Sequence, residues 1–168
     1  MLIRRETPAD VAVIRAVTAA AFGSRQPSAE ATLVDELRAG DAWLPALSLV
    51  AVDFADVVGH VLCSRARVES APVLALGPLG VHPDHQGRGI GQALVHAVLG
   101  AADALDEPLV VLLGDPRYYS RFGFRLAEEY DITPPVPRWR PHFQARTLST
   151  FTPALHGRFA YAEPFDRV

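Results

Sequence analysis

The stretch Val81-His82-Pro83-Asp84-His85-Gln86-Gly87-Arg88-Gly89-Ile90-Gly91-Gln92-Ala93-Leu94 constrains this chain more than any other. A β-branched run ends at its head, three glycines follow at alternate positions, and an apolar helix begins before the glycines are over. Helix N-termini present amides without intrahelical partners and carry a partial positive charge, so they hold phosphates well. Glycines let the backbone approach such a group and take φ values closed to other residues. Gln86 and Arg88 can add side-chain donors. The plain alternative is a Gly-rich turn without a ligand. Three alternate glycines at a helix start cost stability, which favours the phosphate reading.

Around this unit the pattern gives a mixed order of elements. Residues 2–5 read as an opening strand. Thr7-Pro8-Ala9-Asp10 reads as a helix start, with Thr at the N-cap and Pro at the first position, and the apolar face runs to Phe22. Residues 23–28 read as a loop, and Glu30, Leu33, Val34, Leu37 and Arg38 as a second helix ended by Gly40. Residues 48–53 and 57–66 form a hairpin, and 72–81 a third extended segment. The helix over 89–105 is followed by an all-apolar strand at 109–113, a short helix capped by Asp115-Pro116, and a Pro-rich tail with extended stretches at 143–148 and 157–161. No repeat or linker divides the 168 residues, which read as one domain, 1–168, with helices layered on a sheet.

Composition removes several functions. All 16 basic residues are arginine, so mechanisms that need a lysine amine are closed: a P-loop, a Schiff base, a kinase nucleotide lysine. The formal charge of −3 gives no support for nucleic-acid binding. The single Cys63 excludes an intrachain disulfide and a Cys-rich zinc site. No apolar run approaches the ~20 residues of a membrane span, and the charged N-terminal sequence does not read as a signal peptide, so a soluble cytoplasmic protein is expected. Monomer and homodimer both stay open.

A dinucleotide fingerprint would need a small residue where Gln92 stands, and no second βαβ unit follows, which leaves an NAD-binding oxidoreductase as a distant reading. Gln86-Gly87-Arg88-Gly89-Ile90-Gly91 instead resembles the Gln/Arg-x-x-Gly-x-Gly/Ala signature of the GNAT N-acetyltransferases. The segments around Glu30 to Arg38 and Leu112 to Phe124 resemble a bacterial branch of that superfamily, the YhbS-like predicted acetyltransferases. The resemblance runs almost the whole chain. It implies a single α/β domain with a central mixed, mostly antiparallel sheet, splayed in the middle, and helices on both faces.

It also implies acetyl-coenzyme A as acetyl donor, with its pyrophosphate on the loop amides over Gln86, Gly87, Arg88, Gly89, Ile90, Gly91 and Gln92. Pro78 removes a backbone donor, so pairing of its strand with a neighbour should break near Gly77-Pro78, although a proline at an ordinary sheet edge fits as well. By resemblance the pantetheine arm pairs with Leu79, Gly80 and Val81, and the Leu79 amide polarises the acetyl carbonyl. Tyr119, four residues before Gly123, matches the family's general-acid tyrosine; without the resemblance it reads as a core aromatic beside Tyr118 and Phe122. A phenol of pKa ~10 can protonate a departing thiolate. Leu112 stands where many relatives carry Asn, and Asp115 is a partial substitute for that polar contact.

Other polar residues give weaker signals. No general base is assigned; Glu30, Glu36, His60 and Glu69 are the candidates, and a solvated surface role suits each. His82, Asp84, His85 and His96 lack the spacing of a helical metal pair, and no metal is assigned. Cys63 reads as a small buried residue. The expected activity is direct acetyl transfer to a primary amine in a ternary complex; the rival is a coenzyme-binding regulatory protein without turnover. The acceptor is expected between residues 22–43 and 134–143, and the slightly acidic balance tilts it towards a small amine over a protein.

Overall fold

The computed structural model describes residues 1–23 and 27–168; positions 24–26, inside the loop expected over 23–28, lie outside the described residues. Strand β1 (Leu2–Arg5) leads into a 3-10 turn, Pro8–Asp10, and then α1 (Val11–Phe22). The expected helix start at Thr7 is therefore one tight turn before the α-helix proper. The Asp10 carboxylate accepts from the Thr7 amide at 2.7 Å and from Arg4 at 2.7 and 3.0 Å, which folds that turn back on β1. Helix α2 (Ala29–Ala39) is capped by Ser28, whose hydroxyl accepts from the Ala31 amide, and ends at Gly40.

Strands β2 (Ser48–Asp53), β3 (Asp56–Val68) and β4 (Ala71–Val81) form the expected meander. After it come α3 (Ile90–Ala104), β5 (Leu109–Leu113), the one-turn α4 (Pro116–Tyr119), and the short strands β6 (Arg125–Leu126) and β7 (Ile132–Thr133). Strands β8 (Phe143–Thr147) and β9 (Gly157–Ala160) follow, and a 3-10 turn at Glu163–Arg167 comes after them. Two-residue strands such as β6 and β7 are too short to show alternation and were invisible in the sequence.

The main sheet runs β1-β2-β3-β4-β5-β8-β6, and β9 joins the far end of β3. Its pairs are antiparallel except β4–β5 and the two-residue pair β7–β9, so the mixed, mostly antiparallel sheet that the resemblance implied is present, and a doubly wound parallel sheet is not. Strand alternation places helices on both faces. On one, α3 buries Leu94, Val95 and Val98 against Leu49, Ala51, Val61, Cys63 and Leu74. On the other, Ile14 of α1 and Leu33, Val34 and Leu37 of α2 cover Val50 and Leu62. The part of that second face beside β5 is closed by the tail, with Ile132, Phe143 and Phe159 packed on Val73, Ala75, Leu109 and Val111.

A buried polar network ties β1, α2, β2 and β3 together. Arg38 donates twice to Glu6, at 2.9 and 3.2 Å, and Ser48 bridges Glu6 to the fully buried His60, whose Nε2 lies 2.8 Å from the Ser48 hydroxyl. Burial pushes the Glu6 carboxyl up, but hydrogen bonds from His60, Arg38 and Ser48 outweigh it and hold the group at about 2.

Candidate functional site

The parallel pair β4–β5 is hydrogen-bonded only at Leu74–Val110 and Ala75–Val111. Beyond Ala75 the strands part. The register of β4 against β3 slips where Gly77 and Pro78 stand opposite Leu62 alone, a bulge that bends β4 away. Gly77 takes φ 140°, open to glycine, and Pro78 has no amide to offer a neighbour. The break therefore falls at Gly77-Pro78, the first of the two readings the sequence left open there.

Past the bulge, His82 donates to the Val58 carbonyl at 2.8 Å. Antiparallel ladders alternate, so Gly80, opposite His60, also turns its polar groups to β3. The amides and carbonyls of Leu79 and Val81 then face the gap. The Gln86 side chain, donating to the Val81 carbonyl at 3.0 Å, agrees with that direction.

A cleft of about 310 Å³ opens there, with Leu79 and Val81 on one wall, Gln86, Gly87, Gly89, Ile90, Gly91 and Gln92 on the other, and Tyr118 at its end. The first intrahelical bond of α3 joins the Ala93 amide to the Gly89 carbonyl, so the amides of Ile90, Gly91 and Gln92 precede any partner within the helix. Gly87 and Gly89 sit at φ 74° and 79°, where a side chain is strained. Gly91 is needed for a different reason: a Cβ there would lie 3.0 Å from the Tyr118 hydroxyl.

Two of the expected loop and strand residues lie outside this cleft. Gly80 turns its α-carbon to α1, where a Cβ would come within 3.3 Å of Ala21, so its smallness seats the helix. The Arg88 guanidinium is held by Asp53 at 3.2 Å and faces His85 at 3.1 Å.

The two tyrosines separate. Tyr118 ends the glycine-loop cleft, with the Arg121 guanidinium 4.7 Å above its ring. Tyr119 lines a second cavity of about 400 Å³ together with Gly77, Pro78, Leu79 and Leu113. Burial, reinforced by Tyr118, pushes the Tyr119 phenol up to about 12. Gly114 makes its position possible, since a Cβ on Gly114 would fall 2.5 Å from the Tyr119 ring. In the sequence the only signal for Gly114 is a glycine directly after an apolar strand. Leu79 belongs to both cavities.

The far wall of the second cavity is assembled from distant parts of the chain: Phe22 at the end of α1, Glu30 and Leu33 of α2, and Trp139, Tyr161 and Phe165 of the tail. Tyr161 and Phe165 lie beyond the segments expected to shape an acceptor site. Trp43 instead packs under Arg38, and Arg138 lines a separate groove with Arg117 and His142. Among the four base candidates, Glu30 alone lines this cavity. His60 is buried in the Glu6 network, Glu36 pairs with Arg167 at 3.0 Å, and Glu69 accepts from the Arg158 amide at 2.8 Å.

Leu112 is buried in the core under α3 and brings no polar atom to the gap. Asp115 caps α4 through the Arg117 amide at 2.9 Å and pairs with the Arg117 side chain. His96 stacks edge-on against Phe122, away from His82 and His85, and among the described residues no three metal-ligating side chains cluster. Cys63 is buried, which pushes its thiol well above the ordinary range.

Residues 45–126 match the family model of the acetyltransferase (GNAT) domain. An Escherichia coli K12 protein described as the uncharacterized N-acetyltransferase YhbS is 36% identical over 171 residues, covering 99% of both chains. The chain belongs to the GNAT acetyltransferase family. The crystal structure of E. coli YhbS in complex with CoA superposes with a TM-score of 0.91 at 35% identity, over 99% of this chain and 92% of that one. A GNAT family acetyltransferase from Brucella melitensis, in complex with acetyl-CoA, gives 0.81 at 37% identity over 98% and 97%. The matched GNAT segment contains the gap, the glycine loop and both tyrosines; Phe22, Glu30, Trp139, Tyr161 and Phe165 lie outside it.

Proposed function

We propose that the protein is an acetyl-coenzyme A-dependent N-acetyltransferase that moves the acetyl group directly to a primary amine bound beside the coenzyme. The observation that carries this reading is the junction at Leu79 of two cavities, one walled by backbone amides without a partner among the described residues and the other by Tyr119. The glycine loop fits a pyrophosphate: two glycines hold left-handed backbone, and a side chain at Gly91 would close the cleft against Tyr118. Relatives bound to CoA and to acetyl-CoA support the same ligand here.

The coenzyme supplies an activated thioester. The chain's own contribution is positional and electrostatic. The outward Leu79 amide polarises the acetyl carbonyl as the amine nitrogen bonds to its carbon. The carbon–sulfur bond breaks, and the Tyr119 phenol gives its proton to the departing thiolate. The new amide releases one proton to water, which restores the phenol, and the balance is one acetamide and one thiol from one amine and one thioester.

Calorimetric titration of acetyl-coenzyme A, coenzyme A and NAD, followed by thiol release across a panel of amines, tests the proposal. Saturable coenzyme binding and thiol release are expected. Preference for NAD would refute it. Tight coenzyme binding without release on any amine would support a coenzyme-binding regulator, the reading that the apolar Leu112 favours.

A further inference from the structure

The second cavity has a chemical character that narrows the acceptor. Glu30 is the one charged side chain among its described lining residues. It stands in the first turn of α2, and its carboxylate takes a long 3.4 Å hydrogen bond from the Ser28 hydroxyl. Facing the same space is a continuous aromatic wall: Trp139 meets Tyr161 edge-on at 6.3 Å, and Tyr161 stacks on Phe165 at 4.5 Å. Because these rings are already packed on one another, a flat guest loses little side-chain freedom of theirs on binding. The reacting end of the cavity is fixed by Leu79 and Tyr119.

We infer that the acceptor is a small arylalkylamine or similarly apolar primary amine, with its body on the Trp139–Tyr161–Phe165 wall and its ammonium drawn in by Glu30. The inference rests on the acetyltransferase reading and deepens it. A carboxylate beside aromatic faces attracts a cation twice over, by charge and by the ring quadrupole. An anionic acceptor meets the opposite: it would have to place its charge against Glu30 in a largely apolar space. The bound ammonium sheds one proton to water before its nitrogen attacks, so Glu30 acts in recognition and capture, upstream of the transfer.

The test uses 2-phenylethylamine, n-butylamine, glutamate and a short peptide with a free N-terminus as acceptors. Thiol release is measured with acetyl-coenzyme A, and binding of 2-phenylethylamine to the coenzyme A-loaded protein is measured by calorimetry. The inference predicts the highest kcat/KM for 2-phenylethylamine, then n-butylamine, with glutamate at least 100-fold poorer. In Glu30→Gln, both KM and Kd for 2-phenylethylamine rise about tenfold, kcat changes less than threefold, and acetyl-coenzyme A affinity stays at the wild-type value. Glu30→Asp recovers part of the loss. Turnover confined to glutamate or to the peptide, or an unchanged KM in a Glu30→Gln protein that still binds acetyl-coenzyme A, overturns this acceptor class and leaves the acetyltransferase reading standing. Absence of thiol release from every amine overturns both.

Discussion

The two cavities that meet at Leu79 are built from different materials. The glycine-loop cleft is made largely of backbone: the outward amides of Leu79 and Val81 and the open first turn of α3. The second cavity is made of side chains, from Phe22 to Phe165, brought together by α1, α2 and the tail. Backbone recognition needs a strand, a turn and a helix in immediate succession, so it leaves a compact trace in the sequence. Side-chain recognition leaves no local trace, and its residues can change without disturbing the sheet. One fold can thereby keep its donor and vary its acceptor.

That difference can be broken most sharply at Tyr119, the side chain proposed as the general acid. Tyr119→Phe is expected to lower kcat by about 100-fold, within the usual span for a general acid, and to leave acetyl-coenzyme A affinity within twofold. An unchanged kcat would return Tyr119 to a packing role. The next largest effect belongs to the backbone side. Gly91→Val places a branched side chain against Tyr118 and should weaken acetyl-coenzyme A binding by about tenfold or more, ~1.4 kcal/mol, in a protein with native circular dichroism. Wild-type affinity would move the pyrophosphate elsewhere.

Acidity separates the site from the scaffold. Tyr119, pushed up to about 12, keeps its proton through ordinary assay conditions, so the kcat profile should show no falling limb below pH 10. The scaffold responds at the other end of the scale. Glu6 is held at about 2 against an ordinary value of 4.5, so its stabilisation is complete above pH 4.5 and is lost as pH falls towards 2. The depressed His60 works in the same direction, because the unfolded imidazole takes up a proton below pH 6.5 that the folded one resists. Urea unfolding at pH 7, 4.5 and 3 should show a steady fall in stability, with the Glu6 part on the order of 2 kcal/mol by pH 3. A flat dependence would dissociate the network from folding.

The smallest effect sharpens the comparison from within the loop. The Arg88 guanidinium is engaged by Asp53 and lies outside the cleft lining, so Arg88→Gln should change acetyl-coenzyme A affinity by less than threefold at physiological salt. A tenfold loss would show that a side chain, not the backbone, supplies much of the phosphate binding.

What the sequence disclosed follows the same line. The elements from β1 to β5 were legible because apolar periodicity and punctuation by Pro and Gly are local signals, whereas Gly77-Pro78 fitted a break in the sheet and an ordinary edge equally well until β3 and β5 were placed beside it. Gly87, Gly89 and Gly91 were legible as a group, although two serve backbone conformation and one serves Tyr118. Gly80 was read as part of the coenzyme strand, and its α-carbon also seats α1, a contact that needs the direction of each α-carbon. Gly114 was missed because its partner, the Tyr119 ring, comes close only after the turn at Asp115 is built. Tyr161 and Phe165 were missed because nothing in a tail of short strands and prolines says which face it will cover. Glu30 stood among four equal candidates until α2 placed it.

On the proposed reading, backbone groups at the parted strands hold the coenzyme. Amide hydrogen exchange with and without saturating acetyl-coenzyme A measures those groups directly. Slowed exchange is predicted at Leu79 and Val81 and at Ile90, Gly91 and Gln92, with little change at Gly80, whose amide already pairs with β3. Exchange unaltered at those five amides in the coenzyme-saturated protein, or protection confined to the groove of Arg117, Arg138 and His142, would contradict the account.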